Sequence, residues 1–533
     1  MAQPRAWNFD AVIADDLAQC DECARFPDVI VVGAGAVGIV LAVTLARAGR
    51  RVTLIEAGPA EPPSNYETAN AAASTGLPHR GLIGGRMKAL GGTTRLWGGQ
   101  LVPFSPADLA AETWPAKPAW PIAHADLAAA TARVFALLGV PEEARDPTRI
   151  FVNTTGQPTG LSDQVEITAT AWLPQPDLAR LFAQDLATLP GLTVLTGHEV
   201  RDMRIAAPGR VDGIIAMSAK GIEVELAAPQ VVLACGTFEI VRLLLRLAKR
   251  HADCGYAQNR HLGRWFIDHL HGVVGRFETI DRKRVGALLD PIWRRGRKYA
   301  VKLRLGDDYQ QQARLSNVAG MVLTPQTMGE LIAELRVLAR RLFSGQAGGA
   351  ASWPAELAAA AQRLRLLAPL IWRYLVYRRA GGVLARGTAL GVEVEQLPCA
   401  DSFITLDPAD PERIALHWAF DGDEMRSVRA FAFAVRDAFA SAGLGRLVLD
   451  PAVESGDPAF LMQCADAYHQ MGGARMAARA EDGVVDAQLR VFGTENLYVA
   501  GAATFPSGSF ANPTLTAMAL AVRLSDHLIQ KAP

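Results

Sequence analysis

An α/β fold is predicted for this chain, with a parallel-sheet half assembled from distant stretches of sequence and interleaved with a second half. Three observations predict it. Residues 28–58, DVIVVGAGAVGIVLAVTLARAGRRVTLIEAG, read as strand, glycine turn, helix and strand. Residues 227–245, AAPQVVLACGTFEIVRLLL, read as a strand ending at Gly236 and then a helix. Near the other end, residues 496–528 repeat the order strand, Gly501, loop, helix. Short apolar strands alternating with helices are the pattern of a parallel sheet covered on both faces.

The elements follow in order. Asp28–Val32 is a β-branched run suited to a buried parallel strand. Gly33, Gly35 and Gly38 then form Gly-x-Gly-x-x-Gly. A helix is expected over Ile39–Ala48, stopped by Gly49, and a second strand over Arg51–Ile55, ending at Glu56. Such glycines permit a tight turn and let the backbone approach a pyrophosphate at the helix N-terminus. Glu56, eighteen residues after Gly38, is placed to accept hydrogen bonds from a ribose. The competing reading, glycines that only pack a turn, does not account for the strand, helix and acid arriving together.

A second glycine cluster, KALGGTTRLWGGQ over 88–100, sets Gly91, Gly92, Gly98 and Gly99 around Trp97 and permits close approach to a flat ligand. Loop chemistry alone is the plainer explanation of such a cluster. LTVLTGHEV over 192–200 reads as a further strand and turn. A Rossmann-like domain drawn from both ends of the chain suits FAD, a long ligand, better than NAD. The expected cofactor contacts are Gly33, Gly35, Ala36, Val37, Gly38, Glu56 and Ala57 in the first unit. Gly91, Gly92, Thr93, Thr94, Trp97 and Gly98 follow in the second, then Val200 and Gly236. Gly501, Ala502, Asn512, Pro513 and Thr514 complete the set near the C-terminal end.

Bulk properties bound the alternatives. At 533 residues, with half of them apolar and a fifth charged, the chain is globular and long enough for several domains. Its formal net charge is zero, which argues against nucleic acid as a partner. Six cysteines make no disulfide framework; Cys20 and Cys23 form one Cys-x-x-Cys that no second pair completes into a zinc site, so no metal is expected. No apolar signal core and no run of eighteen apolar residues is found, and a reduced, cytoplasmic chain is the expectation.

Together the motifs resemble the glucose-methanol-choline (GMC) oxidoreductases, FAD-dependent enzymes that oxidise alcohols. The resemblance runs through VVGAGAVG…LIEAG, LGGTTRLWGG, WPIAHADL (120–127), LGRWFIDH (262–269), VEQLPCADSFITLD (394–407) and YHQMGGARM…GVVDAQLRVFGTENLYVAGAATFP…NPT. It implies a substrate domain built on an antiparallel sheet with helices over the flavin. The expected division is a flavin domain of 25–112, 190–275 and 455–533 and a substrate domain of 113–189 and 276–454. The loop GGTTRLWGG is closest to that of the sugar-oxidising, pyranose-oxidase-like branch, in which a histidine bonds covalently to the flavin. Leu96 stands at that place here, so the resemblance implies non-covalent FAD. CADS also replaces the usual Asn-Pro-Asp/Glu-Ser after Glu395-Gln396.

Oxidising an alcohol removes a hydroxyl proton and sends a hydride to the flavin N5. A neutral imidazole is suited to take the proton, and a second polar group must hold the hydroxyl in place. His469 and Asn512 match the family's His–Asn pair, with Pro513 after the asparagine, and the implied roles are base and orienting partner. The competing reading of His469 is a histidine that completes a hydrogen bond in a glycine-rich turn. His269, in FIDH, matches a family position for which a structural hydrogen bond is expected, and the other eight histidines show no metal or triad spacing.

Residues 331–380 differ from their surroundings, with eight arginines against Glu334 and Glu356, a net +6. Leu331, Leu335, Leu338 and Leu342 form a helical stripe; after a Gly/Ala linker a second helix follows, with Pro369 expected to bend or restart it. The segment reads as a helical insertion packed on the substrate domain. Membrane-surface contact, a lid, or docking of an electron-accepting partner are its other readings. The function read from the sequence is FAD-dependent oxidation of an alcohol, with a sugar, glycoside or polyol hydroxyl favoured by the loop. Oxygen or an external acceptor would reoxidise the flavin. The alternatives are lyase or decarboxylase chemistry on the same fold, and a membrane-surface or partner-docking flavoprotein.

Overall fold

The structure is a computed structural model and describes residues 13–14, 26–110, 117–343, 353–379 and 381–531. Cys20 and Cys23 lie outside the described residues. The cofactor half begins with β1 (Ile13–Ala14), β2 (Val29–Val32), α1 (Ala36–Arg47) and β3 (Val52–Ile55). It continues with β4 (Leu192–Leu195), β5 (Gln230–Leu233) and α2 (Thr237–Arg250). The substrate half holds β6 (His269–Ile280), β7 (Arg297–Leu305), β8 (Val318–Leu323), α3 (Met328–Phe343), α4 (Trp353–Tyr377) and β9 (Ala389–Glu395). The chain then returns to the first half through β10 (Leu497–Val499) and α5 (Pro513–Gln530).

The first sheet is six-stranded, in the order β1-β4-β3-β2-β5-β10, and every pairing in it is parallel. VIVV of β2 and VTLI of β3 are buried at every position, as strands covered on both faces require. The sequence order runs outward from β2 to β3 on one side and to β5 on the other. This makes the carboxyl end of β2 a topological switch point, where such sheets bind ligands. Helix α1 is apolar almost all round, because the sheet covers one side and α5 the other. It begins at Ala36, earlier than the Ile39 expected, because extended Gly35 serves as its N-cap.

The second sheet is nine-stranded and contains β6, β7, β8 and β9, with β6 between β9 and Gly445–Leu449. His269 pairs with Glu395 and His271 with Glu393 across the antiparallel β6–β9 register. A short strand, Ala465–Asp466, pairs with the start of β6, and Ile267 exchanges backbone hydrogen bonds with Met471. These pairings lay the segment carrying His469 alongside Asp268 and His269. Helix α4 continues through Pro369, so of the bend or restart expected there the restart does not occur. Pro369 is exposed, and the carbonyl it leaves unpaired, that of exposed Arg365, can turn to water. Among the described residues no helix is long and apolar enough to cross a membrane.

Candidate active site

A deep cavity opens at the carboxyl ends of β2, β3, β5 and β10. Of the expected cofactor contacts, Gly33, Gly35, Ala36, Val37, Glu56, Ala57, Gly92, Thr93, Thr94, Trp97, Val200, Gly236, Gly501, Ala502, Pro513 and Thr514 line it, and so does His469. Three helices, α1, α2 and α5, begin at its wall, and none of them has a side-chain cap bond. Their first N–H groups are donors without intrahelical partners, and helix N-termini favour negative charge. The approach is kept narrow by glycines. A Cβ on Gly33, at φ +104°, would stand 2.5 Å from the Cys235 Cα, and one on Gly92 2.8 Å from the Gly35 Cα. A Cβ on Gly35 would meet nothing nearer than 4.0 Å, so it would project into the cavity. These features fit a long dinucleotide whose diphosphate crosses the start of α1.

Glu56 ends β3 with its carboxylate turned back to the turn. Its oxygens accept from the backbone N–H groups of Ala34 (2.9 Å) and Gly58 (3.0 Å). Burial pushes its pKa up to about 7 in spite of those bonds. Each oxygen keeps a lone pair for a ribose hydroxyl.

Of the four expected contacts that do not line the cavity, Asn512 bonds the lining residue His469 and three glycines support the wall. A Cβ on Gly38 would lie 1.8 Å from the Gly33 carbonyl oxygen, so this glycine lets α1 close onto the turn. Gly91 takes φ +93° and donates its N–H to the Ala34 carbonyl, tying the second glycine loop to the first. Gly98 packs against the Trp172 ring, which a Cβ would meet at 2.3 Å.

The sequence reading missed an ionic wall. Glu239, in the first turn of α2, pairs with Arg86 (2.9 Å), Lys88 (3.2 Å) and Arg242 (2.7 Å). Burial opposes its ionisation, but Lys88, Arg242 and Arg86 outweigh that and hold the carboxyl well below the usual range. The signal available was an acid at a helix start facing a lysine at the edge of the glycine loop. His198 and Cys235 also line the cavity, and burial pushes the Cys235 thiol up to about 12, so it stays neutral.

On the cavity wall is His469, and Asn512 Nδ2 lies 2.7 Å from its Nε2. An amide nitrogen only donates, so Nε2 accepts and the proton of neutral His469 sits on Nδ1. Nδ1 is 2.9 Å from His269 Nδ1, which accepts, leaving the His269 proton on Nε2. That Nε2 is buried and has no partner, and the same holds for Asn512 Oδ1. Asp268 holds the backbone: its carboxylate accepts from the N–H groups of His269 (2.7 Å), His469 (2.9 Å) and Ala467 (3.2 Å), and bonds His79 Nε2 at 3.1 Å. His79, Asp268 and Asp466 form a buried cluster with metal-ligand proximity. Their oxygens are already engaged by backbone N–H groups, with Asp466 accepting from Arg80 and Gly81.

Below the histidines, Lys302 of β7 and Glu393 of β9 form an ion pair. Burial would raise the Glu393 carboxyl, but Lys302 beside it brings it down to about 2. Burial first, and then the neighbouring His269, lower His469 to about 4, so its imidazole is neutral at ordinary pH. The arrangement can therefore take a proton at Nε2, and the ionised Asp268 and Glu393 favour the cation that results.

The sequence matches the family described as GMC oxidoreductase over residues 398–521 and the family described as FAD dependent oxidoreductase over residues 28–260. It is 36% identical over 116 residues to a C-glycoside 3-oxidase of Microbacterium trichothecenolyticum, covering 21% of this chain and 20% of that protein. It is 43% identical over 63 residues to a cholesterol oxidase of Acinetobacter baumannii, covering 12% of this chain and 11% of the relative. The chain thus matches a fifth or less of the length of these curated relatives. The Aspergillus oryzae RIB40 formate oxidase has the same fold, with TM-score 0.57, 18% identity and coverage of 95% of this chain and 98% of that one. So does a pyridoxine 4-oxidase from Mesorbium loti, with TM-score 0.55, 17% identity and coverage of 94% and 99%.

Proposed function

The chain belongs to the GMC oxidoreductases and uses FAD, and from that premise we propose that it oxidises an alcohol to a carbonyl with His469 as base. The observation that carries this reading is the 2.7 Å approach of His469 Nε2, on the cavity wall, and Asn512 Nδ2. A substrate hydroxyl seated between them donates its proton to Nε2 and accepts a hydrogen bond from Nδ2. Asn512 orients it, so that its C–H bond faces the cofactor. FAD, when bound, supplies the hydride acceptor.

His469 takes the proton from its Nδ1–H tautomer, and His269 fixes that tautomer by accepting at Nδ1. Asp268 sets the ring's position through the backbone. Gly33, Gly35, Gly92 and Glu56 would hold the diphosphate and ribose. The local similarity to a C-glycoside 3-oxidase supports a sugar or glycoside hydroxyl as the substrate class. Oxygen or an external acceptor would complete the cycle.

The test is anaerobic bleaching of the flavin absorbance by a panel of sugars, glycosides, polyols and aryl alcohols, with His469→Ala alongside. One class is expected to bleach the wild type, and the variant is expected to keep its FAD and reduce about 10²- to 10⁴-fold more slowly. The deficit should shrink as pH rises and alkoxide forms unaided. Turnover of a substrate without net flavin reduction would point to lyase or decarboxylase chemistry. A variant that reduces at the wild-type rate from pH 6 to 9 would place the base elsewhere.

A further inference from the structure

Helices α3 and α4 pack on each other around a small core of Leu331, Leu367 and Leu370, separate from the main core of the protein. The pair is rooted by Arg373, which pairs with Asp290, and by Arg379, which donates to the Ala287 carbonyl at 2.9 Å. Arg363 pairs with Glu334 between the helices at 3.0 Å. Beyond these contacts α4 carries a second apolar stripe. Leu357, Leu364, Ile371 and Leu375, with Trp372 beside them, recur at helical spacing about a third of a turn round from the buried stripe. All are exposed, Trp372 at 63%, Leu375 at 59% and Leu364 at 55%. Eight of the sixteen exposed large hydrophobic side chains among the described residues fall on these two helices.

Charge chooses the occupant. Residues 331–380 carry a net +6 in a chain whose total is zero. Arg336, Arg340, Arg341 and Arg365 are exposed and hold no ion pair among the described residues. A second copy of the same helix pair would set these charges against themselves. An anionic lipid surface matches both features, since headgroups take the arginines while Leu, Ile and Trp enter the boundary of the acyl chains. Neither helix is long and apolar enough to cross. We propose that the α3–α4 hairpin seats the protein in the interface plane of an anionic phospholipid membrane.

The holoenzyme would be sedimented with extruded vesicles of neutral phosphatidylcholine and of phosphatidylcholine mixed with phosphatidylglycerol. Binding is expected to the mixed vesicles only, falling as salt is raised. Leu364→Glu with Leu375→Glu is expected to lower binding at least tenfold. Arg336→Glu with Arg340→Glu should lower it similarly, since each basic side chain near the surface is worth about fivefold. Retained flavin absorbance reports that each variant is folded. Absence of sedimentation with anionic vesicles, or equal sedimentation with neutral ones, overturns the proposal. A wild-type dimer that Leu364→Glu with Leu375→Glu dissociates, seen by analytical ultracentrifugation, overturns it too, because a second copy would then cover the face.

Discussion

His469 and His269 meet through one hydrogen bond, and much of the site's chemistry depends on which atom of each ring holds a proton. The spacing of His469, Asn512 and Pro513 was legible in the sequence because it sits within glycine-rich and Asn-Pro motifs. The role of His269 was not. It comes from pairing residues 200 positions apart, with Ala465–Asp466 laid along the start of β6. Lys302 was not legible either, because it is one of four basic residues in RKYAVKLRL and only the fold shows that it is the buried one, where a charge needs a partner. Its partner Glu393 lies on another strand, and no local pattern names it. If His269 acts by fixing the His469 tautomer, His269→Phe should slow flavin reduction about tenfold or more with FAD still bound. His269→Asn, whose carbonyl can accept from Nδ1, should recover much of the rate. Removing His269 also removes one of the influences that lower His469, so the acid limb of the reduction rate should move to higher pH. In the wild type, with His469 at about 4, the rate should stay level from pH 6 upward and fall only in more acid solution. Equal rates and equal pH profiles in both variants would make His269 a packing residue only.

At the scale of the element, the glycines divide by what a side chain would meet. Strand–turn–helix units were legible because buried parallel strands must be continuously apolar, and because a turn against a phosphate needs glycine. Which glycines face ligand and which face protein was not legible, since a motif records only that a side chain is missing. Gly35 opens onto the cavity, whereas Gly98 is closed by Trp172. Gly35→Val should therefore give soluble, folded and colourless protein, with a far-ultraviolet spectrum like that of the wild type. Gly98→Val should instead lose soluble yield or lower the unfolding temperature, because the ring it displaces lies on Val165–Trp172 of the large sheet. Should both variants remain yellow and equally stable, this division of the two loops is wrong. The same contrast explains α4, which does not restart at Pro369. The exposed backbone beside Pro369 tolerates the proline.

For the whole molecule, the cavity gathers residues from positions 32–57, 87–97, 198–200, 234–243, 468–470 and 500–517, so one ligand bound there would join six separate stretches of the chain. That dispersion, visible in the sequence as glycine–strand units at both ends, was the best single indication of FAD. The attachment of the flavin can be argued from the same wall. Covalent links are most often made by a cysteine or a histidine, and the cavity offers Cys235, His198 and His469. Cys235 is held as a neutral thiol by burial, and a thiol is a poor nucleophile. The His198 Nδ1 is engaged with the Thr196 carbonyl at 2.7 Å, and His469 is held between Asn512 and His269. Leu96 has no group to offer. Acid precipitation should therefore leave FAD in the supernatant, and stripped protein should regain it. Because the ligand binds only the folded chain, FAD at a hundredfold excess over its Kd should add about 2.7 kcal/mol to the stability of the stripped protein, read as a rise in its unfolding midpoint. Yellow colour that stays with the precipitate would show a covalent link, and a midpoint unmoved by FAD would mean that these segments do not close on one ligand.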